Sequence, residues 1–302
     1  MIRTICLNPA LDKTALIAGF HVNQVNRIVS SRKDAGGKAV AKLGGNTCAY
    51  ALLGGNVGTY IQDAVINLGI SCISVPIEEE TRTDLKLIDT QTGTHTDINE
   101  RGPLVSSQEL NLLQRPINDI RQGAIVVLSG SLPRGISSDT YASWIRASKK
   151  AGASVFLDTN GRALVAGIDA SPTLIKPNLH ELSELVGQEI TSQEGAIQAA
   201  QDLLRSGIKE VVISRGADGA IFVTQDKVLV ARAPRVPVGS TAGAGDALLG
   251  AIAYAWEHFY SFEDTAVLAI ASGSANVMQS GSQSAERSVI ESLLPKVKLE
   301  RP

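Results

Sequence analysis

The 302-residue chain is 44% hydrophobic and 19% charged, with 28 glycines and 4% aromatic residues, a composition that supports a large aliphatic core and excludes a disordered or fibrous chain. Its 28 Lys and Arg against 30 Asp and Glu leave a formal net charge of −2. Such a balance sets up no overall field for gathering nucleic acid or an anionic membrane, so any anion must be held by a local site.

The first nine residues read as a short strand ending at a turn, too short in its apolar run for a signal peptide or a membrane span. Residues 13–33 and 85–89 carry strand-like apolar runs that suit a small sheet apart from the core. Between them, 48–53, 54–58 and 60–68 read as strand, glycine turn and helix. From about residue 107 the alternation becomes regular. A helix runs to Arg121, followed by a strand at 124–128, a helix over 138–150 and a strand at 154–157. A strand at 173–175, helices around 179–186 and 193–206 and a strand at 210–214 complete the series. This βαβ order predicts a mostly parallel sheet covered by helices on both faces, with ligands at the carboxyl ends of the strands. Cys6, Cys48 and Cys72 are odd in number and lack metal-type spacing, which points to buried thiols in a reducing, cytoplasmic setting.

The sharpest local feature is Thr241-Ala242-Gly243-Ala244-Gly245-Asp246 followed by the apolar run 247–253. It reads as a glycine loop entering a helix, whose N–H groups and dipole face an anion while Asp246 accepts a proton from an attacking hydroxyl. The same spacing also suits a glycine turn in which Asp246 only stabilises the helix start. Ser214-Arg215-Gly216-Ala217-Asp218-Gly219, between two apolar runs, reads as a ligand loop or a plain hairpin turn. Lys176-Pro177-Asn178-Leu179-His180-Glu181 sets an amide and a carboxylate three residues apart at a helix start, fitting either hydrated magnesium or a helix cap.

Asn8-Pro9-Ala10-Leu11-Asp12 and Asp34-Ala35-Gly36-Gly37-Lys38 each join a carboxylate to turn formers, with Asp12 suited to sugar hydroxyls. Arg82, Lys86 and Arg134 are cations near strand ends, fit for a substrate phosphate or for solvated surface. His21, His95, His180 and His258 show no zinc spacing, and neither Gly-x-Ser-x-Gly nor a Walker-type loop occurs, which argues against hydrolase and P-loop chemistry.

Taken in order, Leu-Asn-Pro-Ala-Leu-Asp at 7–12, Asp-Ala-Gly-Gly-Lys at 34–38, Ser-Gly-Ser-Leu-Pro-Arg-Gly at 129–135, Lys-Pro-Asn-Leu-His-Glu-Leu at 176–182 and Thr-Ala-Gly-Ala-Gly-Asp at 241–246 resemble the PfkB (ribokinase-like) carbohydrate kinases from end to end. Asn8-Pro9-Ala10-Leu11-Asp12, Thr81-Arg82-Thr83 with Lys86, and Thr96-Asp97-Ile98-Asn99-Glu100 before Gly102-Pro103 resemble the 1-phosphofructokinase and tagatose-6-phosphate kinase branch. The resemblance implies an α/β fold: one ribokinase-like domain over 1–302, with a three-layer αβα core, a mostly parallel sheet and a small β-sheet lid at about 12–33 and 81–103.

The resemblance also implies ATP and Mg2+ as cofactors and a phosphorylated ketohexose as substrate, with fructose 1-phosphate preferred over tagatose 6-phosphate and fructose 6-phosphate. Asp246 would be the base, with the amides of Gly243, Ala244 and Gly245 holding the transferred phosphoryl group. Asn178 and Glu181 would organise magnesium through water. Lys176, Asn178, Ser214, Gly216, Gly219 and Asn276 would bind nucleotide, and Asp12, Gly36, Gly37, Lys38, Arg82, Lys86 and Arg134 the phosphosugar. No nucleic-acid or membrane partner is implied, and pairing into a homodimer through the lids is compatible with the family. A sugar- or nucleotide-binding protein without catalysis is the reading from another class.

Two departures stand out. After Lys38 the segment Ala39-Val40-Ala41-Lys42-Leu43-Gly44-Gly45 is roughly six residues shorter than the family pattern, about 9 Å of helix at ~1.5 Å per residue. The family's sugar-contacting Asn has no counterpart there, and Ala39 stands in place of a glycine. Arg215 stands where the family usually has an apolar residue, and either alters the nucleotide loop or points outward.

Overall fold

In a computed structural model, which describes residues 1–35, 39–279 and 283–302, the apolar runs assemble into a ten-stranded sheet. Seven strands are parallel, in the order β5 (Ser71–Pro76), β4 (Thr47–Leu53), β1 (Ile2–Cys6), β8 (Ile125–Ser129), β9 (Ser154–Asp158), β10 (Leu174–Ile175) and β11 (Glu210–Ser214). Three antiparallel strands, β12 (Ala220–Thr224), β13 (Val228–Arg232) and β14 (Lys298–Glu300), complete one edge. The inner strands are apolar on both faces, as in Ile-Val-Val-Leu of β8 and Val-Val-Ile of β11, because helices cover them on both sides.

One face carries α3 (Ser107–Asn118), α4 (Thr140–Lys150), α5 (Gly161–Asp169), α6 (Leu179–Val186) and α7 (Gln193–Leu204), packed with Tyr141, Trp144 and Leu182 onto Ile5, Leu128 and Val211. The other face carries α1 (Ala39–Lys42), α8 (Ala244–Glu257), α9 (Phe262–Val277) and α10 (Arg287–Leu293), with Ile252, Ala269 and Leu293 over Ile2, Phe156 and Phe222. On that same face α2 (Gly55–Ile66) packs Ile61 against Ala51 and Leu53 of β4. Chain order reverses between β1 and β8, the position where doubly wound sheets open a crevice at their carboxyl ends.

A second, four-stranded sheet has the order β3 (Ile28–Ala35), β2 (Ala10–Ile17), β6 (Arg82–Asp89) and β7 (His95–Asn99). Its central pair, β2 and β6, is parallel, and both outer pairs are antiparallel. Among the described residues no helix is long and apolar enough to cross a membrane.

The structure departs from the sequence reading in several places. Helix α2 begins at Gly55, so 56–58 form its first turn and not a glycine turn; Gly54 is fixed by close packing on the Glu79 carbonyl, and its amide donates to Thr81 Oγ1 at 2.8 Å. Helix α5 was not anticipated, since Gly161, Val165 and Gly167 lower its intrinsic propensity. Packing overrides this: Leu164 and Ile168 are buried, and Gly167 lets the helix press against Leu157. Strands β13 and β14 were also missed.

Candidate active site

The carboxyl ends of β1, β8, β9, β10 and β11 deliver Asn8, Ser129, Asp158, Lys176 and Ser214 to one rim of the sheet, and α8 starts above them. Gly243 is the N-cap of α8 with φ of +73°, a left-handed conformation that favours glycine, and a Cβ there would sit 3.4 Å from Asn276 Nδ2. Asn276 is only 2% exposed, and its amide donates to the carbonyl of Ala242 at 2.9 Å. Expected to bind nucleotide, Asn276 here braces the glycine loop. The Ala244 amide makes a long contact with Thr241 O, 3.4 Å, whereas amides in the first turn of a helix have no carbonyl one turn back. The loop therefore offers N–H donors at the positive end of α8.

Asp246 lies in that first turn. Its carboxylate opens to solvent at the cleft mouth, yet protein crowds it on its other sides. This loss of water, then the negative charge of Asp158, pushes its pKa up to about 6, with Lys176 pulling the other way. Lys176 is 7% exposed and pairs with Asp158 at 3.2 Å. Burial works against its charge, but the Asp158 carboxylate outweighs that and holds its pKa above the usual lysine value. The ammonium lies against Gly245, where a Cβ would come within 3.2 Å of Nζ.

Across the cleft, β2 and β6 are in register with Asp12 opposite Asp84 and Thr14 opposite Lys86. Lys86 reaches Asp12 at 3.6 Å, and Arg82 grips both oxygens of Asp84 at 2.9 Å while also donating to the Asn8 carbonyl. Asp12, Arg82, Asp84 and Asp246 border one cavity of about 300 Å3. Arg134 stands apart from it, paired with Glu79 at 2.6 Å and donating to the Gly102 carbonyl. It shares an outer depression of about 510 Å3 with Arg82 and Arg101. The three cations expected at a substrate phosphate therefore do not converge: Lys86 lies mid-strand facing the inner cleft, Arg134 lies outside, and Arg82 borders both. Gly36, Gly37 and Lys38 lie outside the described residues.

Asn178 and Glu181 form a reciprocal cap on α6: Asn178 Oδ1 accepts from the Glu181 amide at 2.8 Å, and Glu181 Oε2 accepts from the Asn178 amide at 2.9 Å. The cap reading of this motif is thus realised. The cap uses Oε2 alone, so the second oxygen of Glu181 fits a hydrated magnesium, which is held by one or two carboxylates plus phosphates and water.

Ser214 bridges to Asn178 in parallel fashion, Gly216 is open to solvent, and Gly219 is buried where a Cβ would strike the Ala231 carbonyl at 2.0 Å. Gly219 thus has a packing role between β12 and β13. Arg215 does not point outward; it folds back to Gln193 Oε1 at 3.2 Å and the Asp218 carbonyl at 3.3 Å.

The model of the pfkB family carbohydrate kinases matches residues 8–288. The chain belongs to this family. It is 38% identical over 264 residues to the 1-phosphofructokinase of Xanthomonas campestris pv. campestris, covering 83% of each chain. It is 30% identical to the tagatose-6-phosphate kinase of Staphylococcus epidermidis, covering 92% of this chain and 93% of that one. The phosphofructokinase-2 of Escherichia coli, solved in complex with substrates and products, superposes with a TM-score of 0.93 at 28% identity, covering 98% of both chains.

Sequence reasoning missed Asp158 and Asp84. Asp158 closes an apolar strand at its carboxyl end, a legible signal in a parallel sheet. Asp84 is found only through register, since it faces Asp12 across β2 and β6.

Proposed function

We propose that this chain transfers the γ-phosphoryl group of ATP to a hydroxyl of a phosphorylated ketohexose, with fructose 1-phosphate as the first acceptor and fructose 1,6-bisphosphate as product. The observation that carries the reading is Asp246, raised into the working range of a general base and set in the first turn of α8 beside its glycine loop. Asp12 and Lys86 face it across the cleft as partners for the sugar hydroxyls. Asp246 takes the proton of the attacking C6 hydroxyl, that oxygen bonds to the γ-phosphorus, and the bond to the β-γ bridging oxygen breaks, leaving ADP. Lys176 and the loop amides neutralise the charge on the phosphoryl oxygens.

Magnesium, when bound, would supply charge neutralisation on the phosphates, and Glu181 and Asn178 are the residues to hold it through water. Ser214 and Gly216 border the nucleotide. Arg82 and Arg134 would bind the sugar phosphate only in competition with Asp84 and Glu79. The four-stranded sheet acts as a lid on the single domain. Exposed Val29 and Ile98 on its strands, with Val22 and Val25 in the connection between β2 and β3, suit pairing with a second copy. A cytoplasmic setting fits this chemistry.

The test is ATP-dependent product formation on fructose 1-phosphate, tagatose 6-phosphate and fructose 6-phosphate, with Asp246→Asn as control. We expect one phosphosugar to be turned over, and Asp246→Asn to lose about 10²- to 10⁴-fold in kcat while ATP affinity stays within a few fold. Near-normal turnover in Asp246→Asn refutes the base assignment. ATP binding without turnover of any phosphosugar assigns the chain to the non-catalytic binding class, a reading favoured by the four-residue α1.

A further inference from the structure

Parallel strands in the middle of a sheet are normally covered on both faces, and among the described residues β1 and β4 are not. Toward α3, Ile5, Leu7, Tyr50 and Leu52 are at most 3% exposed, while on the opposite face Thr4, Cys6, Thr47 and Ala49 are only half-buried. The cause is α1. Its four residues span about 6 Å, against about 23 Å for the seven residues of β4. Between α8 on one side and α2 on the other, this leaves a trough in the sheet.

The trough floor is a row of side chains in register across four strands, Val127, Thr4, Ala49 and Cys72. Three strand spacings make that row about 14 Å long. Leu249 of α8 and Ile61 and Val65 of α2 form its walls, and Asp12, Asp84 and Asp246 stand at its mouth in the same cavity of about 300 Å3. Burial pushes the thiol of Cys6 up to about 11, so the floor carries no charge from it. Thr47 Oγ1 is buried without a partner.

Size and chemistry select the occupant. A dry cavity of about 150 Å3 accepts benzene, so there is room for a ring and a polar head together. The carboxylates at the mouth accept hydrogen bonds from hydroxyls, with Arg82 and Lys86 balancing the charges of Asp84 and Asp12. We propose that the trough is a binding subsite for a benzene-sized apolar group carried on a hydroxyl-bearing small molecule, whose hydroxyls lie at Asp12, Asp84 and Asp246. The proposal goes beyond the kinase reading, and binding in the absence of ATP tests it separately from turnover.

The experiment is calorimetric titration of the full chain with benzyl β-D-fructofuranoside and methyl β-D-fructofuranoside, repeated on Ala49→Leu and Cys72→Leu, which fill the floor from two different strands. We expect the benzyl compound to bind about tenfold or more tightly than the methyl compound to the native chain. Each filled variant should lose that preference while its affinity for the methyl compound stays within about twofold. Equal affinities for the two compounds, or a benzyl preference that survives both substitutions, would overturn the proposal. So would a changed oligomeric state in Ala49→Leu with ring affinity intact, which would assign the trough to a second chain. Should one variant fail to fold, the native pair and the other variant still decide the matter.

Discussion

Replacing Asp158 by Asn tests whether Asp246 is tuned by its surroundings. Asp246 is pushed up to about 6 because protein crowds it on the sides away from the cleft mouth and Asp158 repels its charge, with Lys176 partly offsetting both. At pH 5 about a tenth of a group with that pKa is ionised. The kcat/KM of the free enzyme should therefore rise with pH through about 6 and level off above 7. Asp158→Asn removes the repelling charge and frees the Lys176 ammonium from its partner at 3.2 Å, and both effects favour ionised Asp246. The acid limb should move down toward the ordinary 3.8. A downward move of about one unit takes the ionised fraction at pH 5 from about a tenth to about a half, near a fivefold gain in relative activity. The assay is kcat/KM for fructose 1-phosphate from pH 4.5 to 8 at saturating ATP and magnesium, each enzyme normalised to its own plateau. The substrate's phosphate also titrates near 6, but identically for both enzymes, so the displacement between profiles reports the protein. Superimposable acid limbs would refute the reasoning.

Gly243→Ala should lose about 1–2 kcal/mol from the left-handed backbone, read from urea midpoints, together with a fall in kcat as the loop shifts. Asn276→Ala leaves the Ala242 carbonyl without its donor; stability should drop by about 1–3 kcal/mol, and the KM for ATP should rise. Glu210 is 3% exposed, with Oε1 unpartnered, and burial pushes its pKa from 4.5 to about 7. The folded chain keeps a proton that the unfolded chain releases, so stability is lost as pH rises from 4.5 to 7, by about 3 kcal/mol in all. Glu210→Gln should remove that loss, and denaturation curves at pH 5 and pH 8 will read it.

Much of this protein follows from short-range pattern. Both-face apolar runs at β8, β9 and β11 specify buried parallel strands, and the glycine loop before Ala247 specifies a helix start with an acid in its first turn. These signals are local because they report backbone freedom and burial, which each residue type expresses by itself. The tertiary structure alone decided what those residues meet. Asp158 acquires its effect on Asp246 only when β9 and α8 converge at one rim, and Arg82, Lys86 and Arg134 separate because each meets a different carboxylate, Lys86 through the register of β2 and β6 and Arg134 through the packing of two loops. Helix α5 and the open trough are likewise decided at long range: one exists because Gly167 fits against Leu157, the other because α1 is too short to cover β1 and β4. Charge partners such as Asp158 with Lys176 and Asp12 with Lys86 are set by which separate segments pack together, so no short window of sequence contains them.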